Sequence, residues 1–301
     1  MEKHEIITKA KRRANKTKRN KLLRRLEIIA AAIVLIASLA ITYLPFTPTW
    51  DDIYAAVGIQ SEYKDEIDFN PEPLTVSFID VGQGDSIFIW TENVSVLIDT
   101  GPEGNATKIV NYIKQFKIDH LDYLIITHDH DDHTGSLYEL RKQIPITNEI
   151  IPDEKTIINQ MTLTLDEDLT LTFLGPIYES EDINNMSLVT LLKYKDTSFL
   201  LMGDAEADEE LSILRTYPDL KADVLKVGHH GSSSSTTPEL LNQVQPKYAV
   251  ISVGAGNDYG HPNKKTLQNL QYITTYRTDQ NGTIAATSDG HTITFHTTYR
   301  Q

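Results

Sequence analysis

The segment THDHDDHTG, residues 127–135, packs three imidazoles and three carboxylates into six consecutive positions, His128 to His133. Histidine and aspartate are nitrogen and oxygen donors for zinc-like divalent ions. In an extended segment alternate side chains share a face, so His128 and His130 point the same way. A turn after them sends Asp132 and His133 toward a second ion. Two ions ~3.5–4 Å apart can clamp the attacking and leaving oxygens of a displacement. The plain alternative is a polar surface loop. It would crowd six titratable groups beside an apolar run, LDYLIIT, with no cation to gather them.

Those side chains need a rigid platform. From Leu74 the chain alternates apolar and polar residues in LTVSFIDV, turns at GQGD, continues in SIFIW and returns in VSVLIDTG. Alternation with Val, Ile and Phe predicts strands. NATKIVNYIKQFKI has helical spacing at Ile109, Ile113 and Phe116. LDYLIIT reads as a buried strand that delivers the histidine cluster at its end. Further strands are expected in SLVTLLKY, TSFLLMGDA, ADVLKVGHH and YAVISVG, with helices at Ala207–Arg215 and Pro238–Val244. Strands alternating with helices predict a layered α/β domain. It is expected over residues 73–301.

Upstream the composition changes. Residues 1–27 hold 11 Lys/Arg and 3 Asp/Glu, leaving 17 Lys/Arg and 39 Asp/Glu for residues 28–301, a net of −22. Residues 28–44, IIAAAIVLIASLAITYL, carry no charge and would span about 26 Å as a helix. Pro45 and Pro48 end the run. The expectation is a transmembrane anchor with residues 1–27 as a basic cytoplasmic tail against anionic lipid, and everything after Leu44 outside the cell. A cleavable signal peptide competes, because Ser38-Leu39-Ala40 is a small-x-small site. Residues 45–72 read as an extracellular tether in which Trp50–Ile59 could form a short helix. The chain has no cysteine, which excludes disulfides, a thiolate nucleophile and a Cys-ligated zinc site. Forty per cent hydrophobic and 23% charged residues exclude bulk disorder.

The H-x-H-x-D-H hexad after a strand ending LIIT resembles the signature of the metallo-β-lactamase superfamily. LIDTG, with Asp99 and Gly101, and LLMGD are similar to two further strand ends of that family. FIDVGQGDS, NNMSLVTLLKY, FLLMGDAEADEE, DVLKVGHHGSSSSTTPELL, AVISVGAGNDYGHP and YRTDQNGTI resemble the extracellular nuclease domain of ComEC-type competence proteins. The likeness runs from about Leu74 to His296. It stops upstream, where such proteins carry a multi-helix channel and this chain has one hydrophobic segment.

The resemblance implies an αββα sandwich with a site for two divalent metal ions, Zn or Mn, at one edge. It implies His128, His130, Asp132, His133 and Asp204 as ligands, with Asp204 bridging. One of His229 and His230 completes the second ion; His230 is slightly favoured, with His229 orienting or protonating. His261 is either a late ligand, the acid that protonates the leaving group, or a turn histidine. Many relatives have another histidine where this chain reads Asn184-Asn185-Met186-Ser187. An oxygen-richer first site favours Mn²⁺ and disfavours β-lactam hydrolysis.

Around this centre, Ser232 and Ser233 in GSSSSTT could seat a phosphate at a helix start, or form a linker with an ordinary cap. Asn185 and Lys226 are candidate substrate contacts. Asp80, Gln83, Gly84 and Asp85 are expected to line the cleft. Asp80, Asp85 or Asp99 could hold a ligating histidine from behind. Lys226, Lys247, Lys264, Lys265 and Arg277 could form a basic patch, and Tyr259 and Tyr276 a stacking platform. His4, His120, His291 and His296 lack a motif.

Three functions compete. The first is metal-dependent DNA hydrolysis outside the cell. The second is hydrolysis of a wall phosphodiester, since the domain also resembles surface phosphorylcholine esterases. The acidity of residues 28–301 suits the second better. The third is a non-catalytic accessory to DNA uptake, against which the intact ligand set counts.

Overall fold

The computed structural model describes residues 72–152 and 157–299. Strands β1 (Leu74–Phe78), β2 (Ile87–Trp90), β3 (Ser95–Ile98), β4 (Leu121–Ile125) and β5 (Ile146–Ile150) belong to one sheet. Strands β6 (Thr162–Asp166), β7 (Leu169–Phe173), β8 (Thr190–Tyr194), β9 (Thr197–Leu201), β10 (Val224–Lys226), β11 (Tyr248–Ile251) and β12 (Thr274–Arg277) form the other. The last two strands, β13 (Ile284–Ser288) and β14 (Ile293–Thr297), return to the first sheet, where β13 pairs antiparallel with β1. The orders are β14-β13-β1-β2-β3-β4-β5 and β12-β11-β10-β9-β8-β7-β6.

Side-chain alternation splits the apolar residues between three layers of contact. Val76, Phe78, Ile87, Ile89, Val96 and Ile98 face the other sheet and meet Leu171, Phe173, Leu192, Phe199, Leu201 and Val224. Their neighbours Phe88 and Leu97 face outward, against helix α1 (Ala106–Lys114). Burying each such side chain stabilises the fold by about 1.5–3 kcal/mol. Of the two polar residues β1 places on that outer face, Ser77 accepts a hydrogen bond from the Tyr112 hydroxyl of α1 at 2.8 Å. A short helical turn, α2 (Asp131–Thr134), and helix α3 (Leu137–Gln143) follow β4. On the second sheet, α4 (Ala207–Thr216) and α5 (Pro238–Val244) cover Leu200 and Leu225, and α6 (Lys264–Asn269) covers Ile251 through Leu267. The final turn is α7 (Thr278–Asn281). Helix, sheet, sheet, helix is the four-layer order the resemblance implied.

The two sheets place their parallel strands side by side. β3, β4 and β5 run parallel, as do β9, β10, β11 and β12. Loops leaving the C-terminal ends of β4, β9, β10 and β11 carry His128, Asp204, His230 and His261 respectively.

Residues 28–44, where the anchor is expected, lie outside the described residues, as do the basic tail, most of the tether and Trp50–Ile59. Among the described residues no helix is long and apolar enough to cross a membrane.

Candidate metal centre

Five expected donors converge on a sixth, Asp204, which is 1% exposed. Its Oδ1 lies 3.3 Å from His133 Nε2 and 3.4 Å from His230 Nε2. His230 Nε2 is 3.2 Å from Asp132 Oδ2. The other oxygen, Oδ2, faces His128 Nε2 at 4.0 Å, and that nitrogen is 3.0 Å from His130 Nδ1. The donors thus form two sets, Asp132, His133, Asp204 and His230 on one side, and His128, His130 and Asp204 on the other. Within each set one atom per residue lies within 4.8 Å of the rest.

The atoms at the centre lack ordinary partners. His133 Nε2, His230 Nε2 and Asp204 Oδ1 are buried and make no hydrogen bond. Hydrogen bonds on the far side of each ring explain why. His133 Nδ1 donates to Asp99 Oδ2 at 2.8 Å, and His230 Nδ1 donates to the Ser252 carbonyl at 2.9 Å. Thr127 spends its hydroxyl proton on Asp99 and sits 3.1 Å from His128 Nδ1, from which it accepts. Each ring then turns a lone pair inward. Converging lone pairs and carboxylates repel unless a cation lies among them, so the donor set fits divalent ions. Without an ion, a proton takes its place: burial disfavours the His230 imidazolium, yet Asp204, Asp132 and Asp85 outweigh it and push this group up to about 10. Burial would raise Asp132, but His230 and His133 hold it at about 2. Burial and His133 push His128 down to about 2, leaving it a neutral donor.

Local backbone geometry chooses between the paired histidines. His229 and His230 are both left-handed, at φ 46° and 50°, between Gly228 and Gly231. That conformation costs about 1–2 kcal/mol per residue. It sends His230 into the centre and leaves His229 at its rim, with Nε2 3.8 Å from Asp204 Oδ2 and Nδ1 2.9 Å from Glu206 Oε1. Gly84 is required by a close approach: a Cβ there would lie 2.3 Å from the Asp132 carbonyl oxygen. The GQGD turn is thereby pressed onto the turn that carries Asp132, and Asp85 N donates to the same oxygen.

A cleft of about 320 Å³ opens over the centre, lined by Gln83, His130, Asp131, Asp132, Asn184, Asp204, His229, His230, Tyr259 and His261. His261 packs edge-on against His229, at 5.5 Å between ring centres. Burial, followed by His229 and His230, holds His261 below its ordinary value.

Several expected contacts fall elsewhere. Lys226 is fully buried and bonded to Asp85 Oδ2 at 2.5 Å, so it offers nothing to a substrate. Asp85 spends that oxygen on Lys226 and holds no histidine. Asp80 accepts from Gly82 N and lies near Lys108, away from the ligands. Asp99 alone of the three acids bonds a converging histidine. Asn185 accepts from Glu206 N and is buried; its neighbour Asn184 lines the cleft, with a buried Oδ1 that has no partner. The phosphate seat at the start of α5 is filled from within. Both Glu210 oxygens take the backbone N–H groups of Thr236 and Thr237, and the Ser232 hydroxyl pairs with Ser234. Ser233 is exposed and gives its carbonyl to Lys265. Lys247 and Arg277 are paired with Asp223 and Asp279. Tyr276 is half-buried and stacks on Phe295, whereas Tyr259 is 72% exposed. Glu206 and Glu210 were missed by sequence reasoning; acids in the first helical turn looked like ordinary helix-start residues.

Comparison with known proteins adds a family. The model described as metallo-beta-lactamase superfamily matches residues 79–255. The chain is 37% identical to ComE operon protein 3 of Bacillus subtilis, over 69% of this chain and 32% of that protein. It is 35% identical to Recombination protein 2 of Haemophilus influenzae, over 65% of this chain and 26% of that protein. It is 30% identical to Competence protein ComA of Neisseria gonorrhoeae, over 72% and 33%. The chain therefore spans a third or less of the length of these relatives.

Proposed function

Because the chain belongs to the metallo-beta-lactamase superfamily, we propose that it is a dinuclear metal hydrolase of phosphodiesters, and specifically a DNA nuclease held outside the cell by an anchor at residues 28–44. The observation that carries this reading is Asp204, whose two oxygens face two separate donor sets. Divalent ions bound there would supply a water of lowered pKa and neutralise charge building on the phosphoryl oxygens.

The chain's own residues do the rest. His128 and His130 would hold one ion, Asp132, His133 and His230 the other, and Asp204 would contribute to both. Asp99 and the Ser252 carbonyl fix two of the rings, so little reorganisation is needed when substrate arrives. His229 and His261 stand at the open side, within reach of a leaving oxygen that needs a proton. Glu206 fixes the orientation of His229. The DNA preference rests on likeness to the competence-related proteins. With no third histidine, the set of His128, His130 and Asp204 leaves room for further oxygen ligands, which would favour Mn²⁺ over Zn²⁺.

One observation favours a second reading, hydrolysis of a wall phosphodiester. Residues 28–301 carry a net of −22, and Lys226, Lys247 and Arg277 are bound to acids. The deciding experiment uses the full chain in mild detergent, stripped of metal and reloaded with Mn²⁺ or Zn²⁺. Metal-dependent cleavage of DNA that disappears in Asp132→Ala is expected. Turnover of p-nitrophenylphosphorylcholine without DNA cleavage would transfer the assignment to a wall esterase. Inactivity on every diester with two ions bound would sink both.

A further inference from the structure

Among the described residues, Tyr259 is the one exposed aromatic ring that lines the cleft over the donor cluster. One face is backed by His261, at 5.8 Å between ring centres and 27° between planes. His261 in turn packs against His229, whose Nε2 is 3.8 Å from Asp204. The loop that carries the ring is held by Asn257. Its Oδ1 accepts from the backbone N–H of Tyr259 and of His261, and its Nδ2 donates to the carbonyls of Gly254 and His261. A large aromatic ring, 72% exposed, thus stands on a pinned loop at a cleft otherwise lined by polar groups. Other exposed tyrosines differ. Tyr138 has Lys142 over its ring, and Tyr178 and Tyr272 lie away from the cleft.

Exposed lysines stand nearby in sequence. Lys264 and Lys265 open α6 five and six residues beyond Tyr259, and Lys265 reaches the Ser233 carbonyl. Among the described residues they are not extended into a long basic track, because Lys226, Lys247 and Arg277 are tied to acids. A duplex binder depends on such a track. A strand with unstacked bases can instead gain its hold from an aromatic face, and every base offers one.

We propose that Tyr259 stacks on the nucleobase beside the scissile phosphate, so that the cleft takes single-stranded or frayed DNA in preference to intact duplex. This rests on the nuclease reading above and names its substrate class. A base stacked in the duplex cannot reach the ring; a base at an end or in a single strand can.

The test uses the full-length, Mn²⁺-loaded chain and oligonucleotides with or without an abasic residue beside the cleaved bond. Tyr259→Ala is expected to raise KM for the intact single strand about ten-fold or more, with kcat changed less than about three-fold, while Tyr259→Trp stays near wild type. Removing the base should cost the wild-type chain the same factor and Tyr259→Ala nothing further. A KM penalty for Tyr259→Ala that persists on the abasic strand would overturn the proposal, as would no penalty on the intact one. A penalty confined to p-nitrophenylphosphorylcholine would also overturn it and would give the ring to a quaternary ammonium. Failure of the nuclease reading itself looks different: the wild-type chain then cuts no oligonucleotide at all.

Discussion

Two buried aspartates flank His230, and they are neutralised in opposite ways. Asp85 Oδ1 lies 3.6 Å from His230 Nδ1, and Asp204 Oδ1 lies 3.4 Å from His230 Nε2. Both carboxylates are almost wholly shielded from water. Asp85 has a cation built into the chain, the Lys226 ammonium. Asp204 has imidazoles that turn lone pairs toward it. A carboxylate removed from water needs a charge partner. Where the sequence supplies one, the pair is structural; where it supplies only donors, the partner must come from solution. The contrast separates the framework of the centre from its working part.

The sharpest way to break the contrast is Asp204→Asn. It removes the charge both donor sets share. Metal content, read by elemental analysis, is expected to fall from two ions per chain to one or none, and diester turnover by about 10³-fold or more. The same analysis on Lys226→Met probes the other side. Leaving Asp85 buried without its cation should cost about 3–5 kcal/mol in urea unfolding with chelator present. The double variant Lys226→Met with Asp85→Leu should recover most of that loss. If Lys226→Met alone were neutral, the pair would not be structural.

Asp99→Asn tests the support behind the metal side. It keeps the shape but removes the charge that Nδ1 of His133 donates to. Metal affinity, measured by competition with a chelator, should weaken about 10–100-fold. The smallest effect concerns a third buried acid that has neither solution. Glu209 accepts one backbone N–H, from Ile177, and burial raises its carboxyl from 4.5 to about 7. A raised acid favours folding in its protonated form. Its contribution is complete below about 4.5 and lost as pH rises through about 7. Glu209→Gln should therefore match wild type near pH 4.5 and exceed it by about 1–2 kcal/mol at pH 8, in urea melts across that range.

Much of the platform was legible because its signals are local. Alternation announced β1 to β3, apolar runs announced β4 and β8 to β11, and helical spacing announced α1; α4 and α5 were also expected. The β6–β7 hairpin and the return of β13 to β1 were not read. Pairing Leu74 with Ser288 depends on chain segments more than 200 residues apart, and no local pattern encodes a partner. The hexad was legible for the same reason as the strands: alternate positions share a face, and a turn redirects Asp132 and His133. Lys226 was misread because its charge is visible in VLKVG while its burial is not. The seryl tract was misread because Glu210, which fills the helix start, is 26 residues from Thr236.

The sequence by itself determined the donor inventory, the family likeness and the layered class. These depend on residue types at short spacing, where covalent geometry fixes which side chains meet. Only the tertiary structure decided that His230 enters the centre while His229 stays at its rim, that Asp85 is spent on Lys226, and that Asp99 holds His133. Those outcomes depend on burial and on partners contributed by different strands. A charged group's role is set by the sum of everything packed around it, which exists only once the sheets have closed.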